Sequence, residues 1–141
     1  MPDLDVEEFG RWREEADRAL RGAILQADAG LHNWGCFGAE QAAQLAVKGL
    51  LHGLGRGPWG HDLVRLGEML RESGLAVPPE IGDRLRRLGR HYITARYPDA
   101  HPSGPAGGHY GERDAEEALE DAGELLRFVD ATWRELGGSA G

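Results

Sequence analysis

The chain has 141 residues, a single cysteine, and 24 acidic against 16 basic side chains, for a formal net charge of −8 at pH 7. That length supports one domain with its own core, needing no disulfide or metal, and the lone Cys36 excludes an intramolecular disulfide and makes a reducing compartment the default. The acidic balance excludes a generic nucleic-acid coat, no apolar run reaches the roughly 18 residues of a membrane span, and the acidic start Met1-Pro2-Asp3-Leu4-Asp5 is unlike a signal peptide, so a cytoplasmic protein with no membrane partner is expected.

From about Leu4 to Asp28, Phe9, Trp12, Ala16, Leu20, Ala23 and Ala27 keep to one face at helical spacing, which predicts a long amphipathic first helix capped by Asp3 or Asp5 and ended by Gly30. Asn33 is a candidate cap for a second helix, about Trp34 to Leu54, with Ala39, Ala42, Ala43, Ala46, Val47, Leu50, Leu51 and Leu54 as its apolar stripe. So many alanines predict the close approach of a neighbouring helix. Lys48, the only lysine, shares a face with Gln41, Gln44 and Gly55 as a candidate polar seam. The glycine-rich stretch 53–60 is a flexible connection with Trp59 as its one sticky residue, and lacks the Lys-Ser/Thr of a phosphate loop. His61-Asp62 opens a short third helix through Leu63, Leu66 and Leu70, closed by Ser73-Gly74, with His61 read as a cap or packing residue.

Pro78-Pro79-Glu80 starts a fourth helix whose stripe Ile81, Leu85, Leu88 and Tyr92 continues onto Arg96. Pro98 lacks a backbone N–H and disfavours α geometry at Tyr97, so this helix is predicted to end near Arg96 or Tyr97. An arginine at the end of an apolar stripe needs a partner for its charge, and His101 follows in a loop over 98–111. The last helix runs from Glu112 along Ala118, Ala122, Leu125, Val129, Trp133 and Leu136, before a Gly-Gly-Ser-Ala-Gly tail at 137–141 expected to be disordered. No segment alternates as a strand does, so the fold class is all-α: a single domain, an antiparallel up-and-down bundle of four long helices plus one short.

Charge is segregated. Arg84, Arg86, Arg87, Arg90 and Arg96 make the fourth helix basic, whereas Glu112, Asp114, Glu116, Glu117, Glu120, Asp121 and Glu124 make the last one acidic. Either the two faces attract each other as neighbours, or the basic face guides an anion toward Arg96. The six histidines show no metal-binding pair on one helix and no HExxH, and the serines lack a Gly-x-Ser-x-Gly setting, so neither a metal nor a serine hydrolase is expected. An arginine that clamps phosphate and a histidine that moves a proton would suit metal-independent RNA cleavage. One of each does not readily supply both acid and base, so two copies facing each other would be needed. Trp34, Phe37 and Trp59 are read as core or dimer contacts rather than base-stacking platforms.

Arg96-x4-His101 at a helix end in a small helical chain resembles the R-x4-6-H motif of HEPN domains. Three stretches fit the same family in order: Phe37-Gly38-Ala39-Glu40-Gln41-Ala42-Ala43-Gln44-x3-Lys48-x2-Leu51, then His61-Asp62-Leu63-x2-Leu66, then Ala95-Arg96-Tyr97-Pro98, together covering about residues 9 to 135. The resemblance implies a HEPN-like bundle and a toxin-like endoribonuclease working as a homodimer without cofactor: Arg96 holds the phosphate, His101 is the acid or base, Asp99 orients it, Tyr97 supports, and Arg90 and Lys48 help bind the ligand. Members often carry Glu where this chain has Gln44, and nuclease members usually carry a small polar residue where it has Tyr97. The alternative is a non-catalytic nucleotide-binding or docking module paired with a minimal nucleotidyltransferase, with Arg96 tied to Glu117, Glu120 or Glu124. In members so paired, a tyrosine two positions after the histidine is a modification target; here that position is Ser103.

Overall fold

A computed structural model describes residues 3–138. Its elements are α1 (Val6–Asp28), α2 (His32–Gly53), α3 (Leu63–Glu72), α4 (Pro79–Gly89), α5 (His91–Thr94) and α6 (Glu112–Glu135), with 3-10 turns at Pro98–Ala100 and Ala106–His109. No strand occurs among the described residues. The all-α bundle is as expected, but its helices divide differently: α1, α2 and α6 are long, at 23, 22 and 24 residues, while α3 and α4 have 10 and 11 and α5 is one turn.

Helix α1 is capped by Asp5, whose carboxylate accepts from Glu8 N at 3.1 Å, with Glu7 and Glu8 at the positive end of the dipole. Gly30, at φ 84°, turns the chain through a left-handed conformation costly for a residue with a Cβ, and α2 runs back alongside α1, where Asp5 N donates to Gly53 O at 2.8 Å. Helix α2 starts at His32, so Asn33 lies inside the helix rather than capping it, and its amide donates to Ala95 O at 2.9 Å. The close approach expected from the small residues is there: a Cβ on Gly38 would sit 2.7 Å from that of Ala23, and one on Gly49 2.9 Å from that of Trp12.

The α2 side chains Ala39, Ala43, Ala46, Val47, Leu50 and Leu51 are fully buried and meet Leu63, Leu66, Leu70, Leu85, Leu88, Leu125, Val129 and Trp133 in one core. Each leucine withdrawn from water here stabilises the bundle by about 2 kcal/mol before entropy is counted. Helix α3 is capped by Asp62, which accepts from Val64 N and Arg65 N at 3.0 and 3.3 Å, so the cap is Asp62 and not His61. The expected continuous fourth helix is interrupted at Arg90. Gly89 is a weak helix former there, and the Thr94 hydroxyl competes for the Arg90 carbonyl at 2.5 Å. Past α6, Gly137 takes φ 89° and Gly138 N returns to Trp133 O at 2.9 Å, closing the helix in an ordered turn. The rest of the tail expected to be disordered, 139–141, lies outside the described residues.

Candidate functional site

The central helix carries a charge where its pattern calls for an apolar residue. Glu40 is fully buried, and its oxygens accept from the side-chain amides of Gln41 at 2.9 Å and Gln44 at 2.5 Å. Burial pushes its carboxyl above the ordinary range, against the pull of the two amides and of the Arg96 and Lys48 charges. Neither cation is within ion-pair distance of it, and Lys48 is held below the usual lysine range by burial, offset by Glu40. Of the seam expected from Gln41, Gln44, Lys48 and Gly55, Gln41 and Gln44 meet at Glu40, its unforeseen centre, whereas Lys48 makes no hydrogen bond or ion pair among the described residues. The signal available in the sequence was one glutamate among alanines, one turn before Gln44.

Arg96 caps this seam. Its Nε donates to Tyr92 O at 2.7 Å, and its Cζ lies 4.4 Å from the centre of the Phe37 ring, 4.6 Å from Tyr92 and 4.9 Å from Tyr97. Each ring offers its negative face to the cation, worth roughly 0.5 to 2 kcal/mol depending on solvation. Among the described residues no carboxylate forms an ion pair with Arg96, and its two terminal nitrogens make no hydrogen bond. Arg96 as a whole is half-buried. The pairing with Glu117, Glu120 or Glu124 does not form. Phe37 thus supports the guanidinium rather than filling the core, while Trp34 and Trp59 are exposed.

His101 sits in different surroundings. Its Nε2 lies 2.7 Å from Thr94 O, and its ring stacks on His109 at 4.3 Å between centres and 6° between planes. His109 Nε2 in turn lies 2.6 Å from Ser103 O. Among the described residues no hydrogen bond, ion pair or ring contact joins His101 to Arg96 or to Asp99, which stands exposed on its 3-10 turn; the Thr94 carbonyl and His109, not Asp99, set the imidazole. The loop is further pinned through Tyr110, whose hydroxyl is 2.9 Å from both His91 Nδ1 and Thr94 Oγ1.

The basic helix is largely neutralised by the acidic one. Arg84 and Arg87 both bind the buried Asp121, at 2.7 and 2.8 Å, and Arg86 pairs with Asp83 at 3.0 Å. Of that face only Arg90 and Arg96 remain without an ion pair among the described residues, so mutual attraction of neighbouring helices, and not a steering field, explains most of the segregation. Arg90 lines a cleft of about 550 Å³ between the start of α3 and the α4–α5 break. No group of three or more metal-ligating side chains occurs among the described residues.

The HEPN domain family model matches residues 9–132. The chain belongs to the HEPN domain family. Its fold is similar to the crystal structure of TT1696 from Thermus thermophilus, with a TM-score of 0.84 and 41% identity over 87% of this chain and 96% of that one. It is similar also to ST0689, an archaeal HEPN homologue (TM-score 0.73, 32% identity, 88% and 96% covered), and to a HEPN domain protein from Thermotoga maritima (0.71, 27%, 88% and 98%). No curated protein matches the chain. In this HEPN protein Arg96 lies over the Phe37 ring of α2 and His101 stands in the loop before α6, and no helix among the described residues is long and apolar enough to cross a membrane.

Proposed function

We propose that this HEPN protein is a phosphate-binding module for nucleotides or RNA, with Arg96 as its anion contact. One observation carries the reading: a guanidinium set among three rings, whose terminal nitrogens make no hydrogen bond and no ion pair among the described residues. A planar fork of this kind binds phosphate bidentately, and its preorganisation lowers the ordering cost of binding. Lys48 adds a second charge along α2, Arg90 a third across the cleft, and Tyr97 a flanking ring.

A second reading, metal-independent endoribonuclease, is favoured by the tautomer of His101. Its Nε2–H is given to the Thr94 carbonyl, which leaves Nδ1 with the lone pair a general base requires. Because Arg96 and His101 face different groups within one chain, this chemistry needs a second copy to bring His101 to the phosphate, as in a homodimer. Docking on a minimal nucleotidyltransferase would use the same face.

The test measures binding of a single-stranded RNA and of AMP to wild type and Arg96→Ala, with incubation of transfer RNA in EDTA alongside. Binding weakened tenfold or more by Arg96→Ala supports the module, and unchanged binding removes it. Cleavage in EDTA that is lost in the Arg96→Ala, His101→Ala double variant establishes the nuclease, whereas cleavage equal in both, or absent from both, dismisses it.

A further inference from the structure

Of the capping or packing role that the sequence predicts for His61, the cap falls to Asp62, and His61 packs by one face while the residue as a whole stays exposed. Its ring lies on Tyr92, 5.1 Å between centres and 14° between planes, and its Nδ1 is 3.2 Å from Gln44 Oε1. The Gln44 amide nitrogen donates to the buried Glu40 carboxylate, and its oxygen faces the other way, toward His61. An amide oxygen only accepts, so Nδ1 carries the proton, and in the neutral ring Nε2 is left as a lone-pair acceptor. Among the described residues that nitrogen has no partner, and His61 is exposed.

The cleft of about 550 Å³ beside it is within the usual size of a small-ligand site. It is lined by the apolar Leu63, Val64, Tyr92 and Ile93 and by the charged Arg90 and Arg86, the latter paired with Asp83. The carboxylate of Asp62, which also lines it, is turned into the α3 cap. An apolar lining, an arginine without an ion pair among the described residues and an outward-facing acceptor together call for a flat group bearing an anion and a hydroxyl donor. Tyr92 separates this cleft from Arg96, since it stacks with His61 and also carries the guanidinium.

We propose that the cleft is a ribonucleotide subsite in which His61 Nε2 accepts a hydrogen bond from the ribose 2′-hydroxyl, Arg90 meets the phosphate, and the base lies on Ile93 and Val64. The proposal rests on the phosphate-binding reading of Arg96 and narrows it to single-stranded RNA, whose successive phosphates span the two sides of Tyr92. A 2′-hydroxyl is the group by which a protein tells RNA from DNA, and Glu40 and Gln44 are positioning residues that keep the acceptor lone pair outward.

The experiment compares matched tetranucleotides, oligouridylate and its deoxy counterpart, by fluorescence anisotropy on wild type, His61→Phe, Gln44→Leu and Arg96→Ala. Wild type is expected to prefer RNA by about fivefold to tenfold, the worth of one hydrogen bond. His61→Phe, which keeps the stack, abolishes that preference while leaving affinity for the deoxy strand; Gln44→Leu reduces it, and Arg96→Ala weakens both strands alike. RNA preference that survives His61→Phe, or equal binding of both strands by wild type, overturns the subsite while leaving the Arg96 reading standing. Binding insensitive to Arg96→Ala removes that reading separately. Independently of any ligand, ¹⁵N NMR at neutral pH must show His61 protonated on Nδ1 in the neutral ring; an Nε2–H tautomer overturns the proposal outright.

Discussion

A carboxylate shut inside a helical core is the residue with the largest stake in this fold. Glu40 loses its hydration for two amide hydrogen bonds and the distant pull of Arg96 and Lys48, and burial raises its carboxyl above the ordinary value of 4.5. Between 4.5 and the raised native value the folded chain holds a proton that the unfolded chain has released, so this group's contribution is complete below 4.5 and is lost as pH rises through the native value. Glu40→Gln cannot titrate. The stability difference between variant and wild type, from urea melts across pH 4 to 8 (a range of about 4 units chosen to bracket the carboxyl), is therefore expected to shift toward the variant as pH rises; a flat difference would show that Glu40 titrates normally. Cys36 follows the same physics with less consequence. Burial, with Asp114 and Glu117 adding to it, pushes its thiol up to about 12, so folded protein should resist iodoacetamide at pH 8 until denaturant is added.

The loop between α5 and α6 behaves as an element through a directed chain of hydrogen bonds. Thr94 gives its hydroxyl proton to the Arg90 carbonyl, accepts from Tyr110, and Tyr110 accepts from His91 Nδ1, each link between 2.5 and 2.9 Å. His91 is held below the ordinary 6.5 by burial and then by Arg90, with Asp114 and Asp121 pulling the other way. Because the unfolded chain takes up its proton first, the stability this histidine carries is complete above 6.5 and drains away as pH falls through its native value. Amide exchange across residues 98–111, corrected for intrinsic rates, should accelerate below pH 6.5, and His91→Asn should remove that acid-dependent part. Tyr110→Phe is expected to cost about 1 kcal/mol at every pH. Helical spacing foretold α1, α2, α3 and α6 within a few residues, because α1, α3 and α6 expose one face and bury the other over two turns or more, and the central α2 repeats its small and apolar residues at the same period. It failed at Arg90, where a threonine hydroxyl competes with the ladder, and at Asn33, whose partner Ala95 is 62 residues away. The site was legible only in part for the same reason: Arg96 announces itself by interrupting a stripe, whereas Glu40, Gln44 and His61 meet across 21 residues of chain and a glycine-rich connection.

At the scale of the molecule two joints hold the helices in register. Between α4 and α6, Asp121 accepts from Arg84 and Arg87 at 2.7 to 3.0 Å while almost wholly buried. Asp121→Asn leaves both arginines partly covered without a counter-charge, expected to cost roughly 1 to 3 kcal/mol by chemical denaturation, since breaking one side of a buried pair outweighs the pair's own net worth. Between α1 and α2 the joint is steric. A methyl added at Gly38 would meet not only the Ala23 Cβ but its Cα at 3.1 Å, and backbone cannot swing aside as a side chain can. In a solvent-facing helix Gly→Ala gains about 1 kcal/mol of propensity; here overpacking of roughly 1 to 3 kcal/mol opposes it, so Gly38→Ala should lower stability or leave it little changed, while Gly10→Ala, with nothing within 4 Å, should raise it. If the axes move apart to admit the methyl, the α2 face turns with them, and Phe37, next to Gly38 and under the Arg96 guanidinium, moves first. Gly38→Ala is therefore expected to weaken anion binding at Arg96 more than Gly10→Ala does, measured on the same single-stranded RNA; equal binding in the two variants would show that the cage is insulated from the packing of α1.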